Sequence, residues 1–315
     1  MSHTVFLLAA GFGTRLRPLT LHRPKPLLPL LGRPMVDYSL ALLQEQGHRK
    51  IVVNAHHLWE HIARWTEKNQ LSLQVEQPDI LGTGGGLKAA EERLAEKFVI
   101  WNGDIVSDID TRALLDACPE DGACMALRYS TALGKTTPLQ RSTDGMVLRI
   151  GSVCAHPNAP APVVGSDGYH FTGIHAMSRH TLREVPPNSF QCIVRSAYKQ
   201  LVPSGAVQSI LHDGVWFDTG LPQEYWEANM QALRGELILS IDPWEEANPR
   251  YDNNWVHRNA EVAGTIHSCV IGAQAVVPAR TVLDQCIVWD SVVVPEGEYS
   301  RCIFHEGGCL SLEER

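Results

Sequence analysis

The sequence predicts an α/β protein built on a doubly wound, mostly parallel β-sheet that is followed by a short parallel β-helix. Three observations predict this fold. Apolar runs alternate with segments of helical periodicity in the first third of the chain, as in βαβ units. Several predicted strands end in glycine or aspartate, and near the C-terminus valines recur every six residues, at Val270, Val276, Val282, Val288 and Val294.

The alternating elements begin with residues 5–10, an apolar run that reads as a buried strand. Residues 50–55 and 71–76 are the next strands. Periodic apolar residues predict a helix before each of these two strands. One begins after Arg33-Pro34, and the other lies around residues 58–65. Because parallel strands need crossover helices, this alternation indicates a doubly wound sheet, whose ligands bind at the carboxyl ends of the strands.

The first strand leads into a loop, GFGTRLRPLT, that has the composition of an anion site. Gly11 and Gly13 permit positive φ and close approach of a ligand, so that backbone N–H groups can converge on phosphate oxygens. Arg15 and Arg17 add positive charge at any working pH. The loop therefore predicts phosphate binding.

Two other interpretations of this loop are open. A dinucleotide fingerprint would need a third glycine, where Leu16 stands, and an acidic residue at the end of a second strand about twenty residues after the glycines; this chain has neither. A plain turn with solvated arginines is the second interpretation. Lys25, held between Pro24 and Pro26 in a stiff segment, favours the phosphate site over both.

Further along the chain, three segments end or interrupt strands with residues suited to ligands. Residues 76–90 place three consecutive glycines before a predicted helix, which suggests a second pocket lined by backbone. The strand over residues 169–177 contains Gly173, which is typical of close approach by a ligand. Two other strands end in Asp104 and Asp218, and carboxylates from distant strands are a common way to build a divalent-cation site.

Composition limits the classes of function. The chain has 315 residues, 44% of them hydrophobic, and a net charge of -8, which argues against nucleic acid as a partner. Its eight cysteines form no CxxC pair, so we expect reduced thiols and a cytoplasmic location. No stretch has the composition of a signal peptide or the length of a membrane span, so we expect no membrane partner.

The quoted segments together resemble a known family. LAAGFGTRLRPLT followed by RPKPLLPLLGRP is similar to the signature of the sugar-1-phosphate nucleotidyltransferases, and LGTGGGLKAA, WNGDIVSDID, YHFTGIHAM and GVWFDTGLPQEY resemble its later motifs in the same order. The resemblance implies a Rossmann-like catalytic domain over residues 1–235 and a linker over 236–255. Residues 256–315 would form a left-handed β-helix of the hexapeptide-repeat type, which several members carry.

The resemblance also implies a reaction and a set of residues. A nucleoside triphosphate and a sugar 1-phosphate would give a nucleoside-diphosphate sugar and pyrophosphate, with Mg²⁺ as cofactor. The implied catalytic residues are Arg15, Lys25 and Asp104, and the implied metal ligands are Asp104 and Asp218. The implied nucleotide-binding residues are Leu8, Ala10, Gly11, Gly13, Thr14, Arg15, Gln77, Gly82, Thr83 and Gly85. The implied sugar-phosphate residues are Asn102, Gly103, Thr172 and Gly173.

The sequence departs from the family at two places. Gly84 replaces a common alanine, and the Glu-Lys-Pro motif expected within residues 130–168 is absent. GTP with mannose 1-phosphate is the expected substrate pair, and UTP with N-acetylmuramate 1-phosphate or another hexose 1-phosphate is the alternative. A catalytically silent regulatory subunit that binds nucleotide sugar is the alternative from another class. We expect the C-terminal repeat to mediate contacts between copies of the chain rather than turnover.

Overall fold

The computed structural model describes residues 3–130, 139–155 and 168–312. The chain packs as two compact units. The first unit consists of Met1–Gly11, Leu42–Gly103 and Ser107–Trp216, and the second of Phe12–Ala41, Asp104–Val106 and Phe217–Arg315. The domain boundaries expected at residues 235 and 255 stay a prediction. Residues 131–138 and 156–167, in the region where the Glu-Lys-Pro motif was expected, lie outside the described residues.

The first unit is organised around a mixed sheet, which has ten strands within the described residues. Its parallel part has the order Ser72–Val75, Lys50–Ala55, Thr4–Leu8, Lys97–Asn102. In chain order these are the third, second, first and fourth of the parallel strands, so the order reverses between the last two. This is the Rossmann-like arrangement that the sequence predicted, and ligands bind where such an order reverses.

The other part of this sheet is mainly antiparallel. Strand Gly168–Ser178 pairs antiparallel with Lys97–Asn102 and with Ala123–Ser130. Strand Val207–Leu211 pairs parallel with Ala123–Ser130. The remaining strands are Leu139–Arg141, Val147–Ile150 and Val153–Cys154. The sheet is thus mixed rather than mostly parallel, because these last three strands follow each other too closely for crossover helices and pair as hairpins.

Helices cover the sheet of the first unit. They are Trp59–Lys68, Gly82–Ala89, Thr111–Ala117 and Ala197–Leu201, with 3-10 turns at Glu91–Arg93 and Arg179–Glu184. In Trp59–Lys68 the apolar spacing buries Ile62 and Trp65 and leaves the charged face in water. Among the described residues, no helix is both long and apolar enough to cross a membrane.

The second unit contains the glycine- and arginine-rich loop and the C-terminal part of the chain. Its N-terminal segment forms 3-10 turns at Thr14–Leu16, Leu19–Leu21 and Lys25–Leu27, and the paired strands Pro29–Leu30 and Arg33–Pro34. Helix Met35–Glu45 begins in this unit, and helix Pro222–Leu233 and the 3-10 turn Pro243–Glu246 follow later. Two short strands, Ile105–Ser107 and Trp216–Asp218, pair with each other.

Residues 255–312, which we call the tail, are built from short strands in three parallel sheets. These sheets are Trp255–Val256, Val270–Ile271, Ile287–Val288 and Cys302–His305; Glu261–Val262 and Val276–Val277; and Thr265–His267, Thr281–Asp284 and Gly297–Ser300. Successive partners lie about 16 residues apart, close to three six-residue repeats. Gly308–Ser311 closes the tail as an antiparallel hairpin with Cys302–His305.

The tail contributes to two apolar cores. Ile271, Val277, Leu283, Val288 and Val294 are buried in a core formed by the tail itself and residues close to it. On the other side of the strands, Trp255, Val270, Ile287, Trp289 and Ile303 share a core with Leu16, Leu19, Leu28, Leu30 and Tyr38. The tail and the N-terminal segment of the second unit therefore stabilise each other.

Candidate active site

In the first unit, four predicted ligand residues meet where the strand order reverses. Leu8 and Asn102 are register partners on adjacent strands, and the Gly103 N–H donates to the Leu8 carbonyl at 2.9 Å. Gly173 has a φ of 81°, and a Cβ placed there would lie 2.5 Å from Asn102 Nδ2. Only glycine fits this close approach, so the predicted sugar-phosphate residues Asn102, Gly103 and Gly173 share one edge of the sheet.

Other predicted residues of this unit differ in accessibility. Ala10 is buried, and Gly11 is exposed with no atom within 4 Å of a Cβ placed on it. Thr172 is buried, and its hydroxyl donates to the Ala126 carbonyl at 2.9 Å. Gln77 is exposed and lies two residues after strand Ser72–Val75. Their assignments to nucleotide or sugar stay predictions.

The three consecutive glycines lie inside helix Gly82–Ala89 and are buried, so the expectation that they precede the helix is wrong. Close packing explains their presence in a helix, where glycine is otherwise unfavourable. A Cβ on Gly85 would lie 2.5 Å from the Ser189 carbonyl oxygen, and one on Gly86 would lie 2.6 Å from Glu76 Oε1. We call Gly82–Ala89 the glycine helix.

Sequence reasoning missed the segment that covers the glycine helix, residues 189–193. The Gly84 N–H donates to the Gln191 carbonyl at 2.8 Å, and the Ile193 N–H donates to Thr83 Oγ1 at 3.0 Å. Because these contacts join residues more than a hundred positions apart, no local pattern indicates them. Thr83 Oγ1, which the sequence offers to a base, is therefore engaged by the protein itself.

A buried polar network that the sequence reasoning also missed connects the strand ends to the glycine helix. Asn54 Oδ1 accepts from the Ala9 N–H at 2.8 Å, and its Nδ2 donates to Glu76 Oε1 at 2.8 Å. The other oxygen of Glu76 accepts from the Leu81 N–H at 2.7 Å. Both side chains are 2% exposed. The available signal was an asparagine inside an otherwise apolar strand, since buried polar groups need partners.

In the second unit, Lys25 lies between the two predicted metal ligands. Its Nζ is 2.5 Å from Asp104 Oδ2 and 3.2 Å from Asp218 Oδ1. The lysine side chain is 9% exposed, whereas the carboxylates are 26% and 39% exposed. We call these three residues the lysine cluster. It presents two carboxylates to solvent with one ammonium beneath them, so it carries one net negative charge.

The glycine- and arginine-rich loop folds next to this cluster. Gly13 is left-handed, with a φ of 59°, whereas Gly11 has no positive φ, so only one of the two glycines uses the expected freedom. The Gly13 carbonyl accepts from Thr20 Oγ1 at 2.8 Å, and a Cβ on Gly13 would lie 3.4 Å from Lys25 Cβ. Thr14 and Arg15 are exposed, and Arg15 Nη1 lies 3.1 Å from a Cβ placed on Gly220.

The lysine cluster fits a divalent cation in its donor chemistry. Asp104 and Asp218 both reach one cation, the Lys25 ammonium, so their oxygens converge on a small volume. Among the described residues, no group of three or more His, Cys, Asp and Glu side chains could hold a metal. Magnesium in phosphate-handling sites needs only one or two carboxylates, because substrate oxygens and water complete its shell.

Comparison with known proteins adds to this geometry. Residues 4–235 match the family described as "Nucleotidyl transferase". The chain belongs to this family. A UTP–glucose-1-phosphate uridylyltransferase of Synechocystis sp. is 27% identical over 94% of this chain and 83% of its own length. A mannose-1-phosphate guanylyltransferase of Mycobacterium tuberculosis is 25% identical over 92% and 81%. An N-acetylmuramate alpha-1-phosphate uridylyltransferase of Neisseria meningitidis is 28% identical over 73% and 97%.

The fold of this nucleotidyl transferase is also that of a solved structure. HddC from Yersinia pseudotuberculosis superposes with a TM-score of 0.61 at 21% identity, covering 73% of this chain and 99% of its own. The family match and the names of the relatives together identify the chain as a sugar-1-phosphate nucleotidyltransferase, an enzyme. The resemblance that the sequence suggested is thereby confirmed.

Proposed function

We propose that this enzyme joins GTP and mannose 1-phosphate to give GDP-mannose and pyrophosphate. The lysine cluster supports the proposal for the reaction class, because it combines one cation with two carboxylates suited to a metal. Asp218 ends strand Trp216–Asp218, and Asp104 follows strand Lys97–Asn102 by two residues. The choice of substrates is supported by guanylyltransferase relatives whose match includes the tail, such as the M. tuberculosis protein.

The proposed reaction needs no nucleophile from the protein. An oxygen of the sugar phosphate attacks the α-phosphorus of the triphosphate, and pyrophosphate leaves on the opposite side. Both substrates are anions that repel each other, so positioning and charge neutralisation supply the rate enhancement. Fixed cations directed at the developing charge are the strongest contribution an active site can make to such a step.

Lys25 is the residue proposed to neutralise the phosphates at the reacting centre. An ammonium group has three N–H donors, and Asp104 and Asp218 engage two of them. The described residues supply no third partner for this ammonium, so its third N–H is available to a phosphate oxygen. Burial of Lys25 beneath the carboxylates fixes the position of this charge, which a solvated lysine would not do.

Asp104 and Asp218 are proposed to hold Mg²⁺. When bound, the ion neutralises phosphate charge and polarises the phosphorus–oxygen bonds. The two carboxylates carry more charge than Lys25 balances, so the site has the sign that attracts a cation.

The other proposed roles follow the family resemblance. Gly11, Gly13, Thr14 and Arg15 would bind the triphosphate, and Leu8 and Ala10 the nucleoside. Gln77, Gly82, Thr83 and Gly85 would bind the base. Asn102, Gly103, Thr172 and Gly173 would bind the sugar phosphate, and the shared position of Asn102, Gly103 and Gly173 supports this part.

Two other substrate pairs have specific support. The Synechocystis relative, which also matches through the tail, favours UTP with glucose 1-phosphate. The Neisseria relative favours UTP with N-acetylmuramate 1-phosphate, although it matches only 73% of this chain.

A substrate matrix decides between these pairs. Pyrophosphate release would be measured with four nucleoside triphosphates against mannose, glucose and N-acetylmuramate 1-phosphates. The proposal expects the highest kcat/KM for GTP with mannose 1-phosphate. A higher value for UTP with either other sugar would replace it with that pair, and release with no pair would contradict the enzyme assignment.

Three further expectations belong to this proposal. The tail strands would wind as a left-handed β-helix, and their outer surface would mediate contacts between copies of the chain. All eight cysteines are free thiols in the structure, which supports a cytoplasmic location. Size measurement in solution tests the second expectation.

A further inference from the structure

The segment that carries Lys25 is stiff on both sides of the lysine. Pro24 precedes it with φ -59° and ψ 143°, and Pro26 follows it. Two hydrogen bonds close the 3-10 turn at Lys25–Leu27. The Leu27 N–H donates to the Pro24 carbonyl at 2.9 Å, and the Leu28 N–H donates to the Lys25 carbonyl at 3.1 Å. Because proline fixes φ, a change in the direction of Arg23 changes the position of Lys25 as well.

The tail holds Arg23 through two contacts in the second unit. Its guanidinium forms an ion pair with Glu306 and lies 4.8 Å from the ring centroid of Trp289. Glu306 belongs to a two-residue hairpin turn, because His305 and Gly308 are register partners. A carboxylate on so short a turn has little freedom to move, so it restrains the arginine.

Trp289 also restrains the chain on the other side of Lys25. The Trp289 Nε1–H donates to Tyr225 Oη at 3.0 Å, and the Tyr225 hydroxyl donates to the Pro29 carbonyl at 2.5 Å. Both aromatic side chains are at most 1% exposed. One buried tryptophan of the tail thus restrains the Lys25 segment on both sides, directly at Arg23 and through Tyr225 at Pro29.

These contacts are placed where small displacements affect the reaction. The Arg23 and Glu306 side chains are 19% and 38% exposed, and ion pairs of that exposure contribute little to stability. Arg23 is nevertheless two residues from a lysine whose ammonium is set between two carboxylates. A displacement of about 1 Å in a group that acts on reacting phosphates can cost up to about 100-fold in rate.

We propose that Arg23 is a positioning residue for Lys25, held in place by Glu306 and Trp289 of the tail. This inference rests on the proposed role of Lys25. It assigns the tail a part in turnover, in contrast to the expectation that the tail serves only contacts between copies of the chain. Removal of the tail would also expose the core that it shares with the Lys25 segment.

The test uses the full-length enzyme and three neutralising or conservative variants. Arg23→Gln removes the ion pair and the stacked charge, and we expect kcat to fall about tenfold. Glu306→Gln leaves the stacking intact, and we expect a loss of about threefold. Arg23→Lys keeps a cation over Trp289 and should restore most of kcat. KM for the triphosphate should change less than kcat in all three.

Arg234 and Glu236 supply a matched control, because they form an exposed ion pair that is local in sequence and far along the chain from Lys25. Arg234→Gln and Glu236→Gln should leave kcat unchanged, and all variants should melt within about 2 °C of the wild type. A purely structural role would lower the melting temperature and leave kcat unchanged. Wild-type kcat in both Arg23→Gln and Glu306→Gln, or equal losses in the control pair, would overturn the inference.

Lys25→Met separates this inference from the proposed function. If Lys25→Met is inactive while both Arg23→Gln and Glu306→Gln have normal kcat, the positioning inference alone is wrong. If Lys25→Met turns over normally, the role of Lys25 fails and the inference fails with it. If Arg23→Gln is too unstable to assay, Glu306→Gln and Arg23→Lys carry the test.

Discussion

The glycine helix of the first unit and the lysine cluster of the second are held in place by different forces. The glycine helix depends on close backbone approach, since a Cβ on Gly85 would lie 2.5 Å from a carbonyl oxygen. The lysine cluster depends on charge, because one buried ammonium contacts two partly exposed carboxylates. The first region therefore tolerates no added volume, and the second tolerates no lost charge.

This difference predicts opposite signatures for substitutions. A change in the glycine helix should lower stability and binding together, because it displaces backbone. A change in the lysine cluster should lower turnover far more than stability, because both carboxylates are partly exposed and solvent screens their ion pairs with Lys25.

The largest effect is expected for Lys25→Met, which keeps the length of the side chain and removes its charge. We expect kcat to fall about 10² to 10³-fold, because a preorganised cation at the reacting phosphates is lost. The free energy of unfolding should change by about 1 kcal/mol or less. Pyrophosphate release and urea unfolding would be measured side by side. A stable variant with near-normal kcat would reduce Lys25 to a structural ion pair.

A smaller effect, of the opposite kind, is expected for Gly85→Ala. The added methyl group meets backbone of residue 189 that cannot rotate away, so we expect a destabilisation of about 1 to 3 kcal/mol. Nucleotide affinity should fall with it. Lys88→Ala is the control in the same helix, where the side chain forms an ion pair with Glu91. Unchanged melting temperature in Gly85→Ala would contradict the packing explanation.

The smallest effect concerns the core of the first unit and follows from His175. Burial lowers the pKa of this histidine from 6.5 to about 3, and its Nδ1 lies 2.6 Å from Tyr198 Oη. Below pH 6.5 the unfolded chain binds a proton that the folded chain does not, so stability falls as the pH decreases from 6.5 towards 3. The loss from this group should not exceed about 1.4 kcal/mol per pH unit.

Urea unfolding at pH 7.0, 6.0 and 5.0 checks this prediction, with His175→Gln as the comparison. The variant has no imidazole to protonate, so its stability should change less over this range. An equal slope in both proteins would assign the pH dependence to other groups.

The parallel half of the sheet could be predicted from the sequence, and the antiparallel half could not. Strands and helices of the first hundred residues alternate with clear periodicity, which is a local signal. Strand Gly168–Ser178 pairs with residues about forty to eighty positions away, and no local pattern encodes that pairing. The tail shows a subtler difference. Val282 is exposed while its neighbour Leu283 is buried, so the regular valine spacing does not mark one inward-facing column.

The charged part of the candidate site was predictable because each residue has a local marker. Lys25 stands between prolines, and Asp104 and Asp218 end apolar strands. Asn54, Glu76 and residues 189–193 were missed, because their roles arise from contacts between distant strands and loops. Asn54, a polar residue in an otherwise apolar strand, was the signal available for the buried network.

The most direct test of the lysine cluster is pyrophosphate release by Asp104→Asn and Asp218→Asn across a Mg²⁺ titration, with melting temperatures measured in parallel. Asparagine keeps the size of aspartate and one acceptor oxygen, and it removes the charge. If the carboxylates hold the cation, both variants should remain folded, lose about 100-fold or more in kcat, and require more Mg²⁺ for their residual activity. Near-normal rates at limiting Mg²⁺ in both folded variants would contradict the metal-binding role.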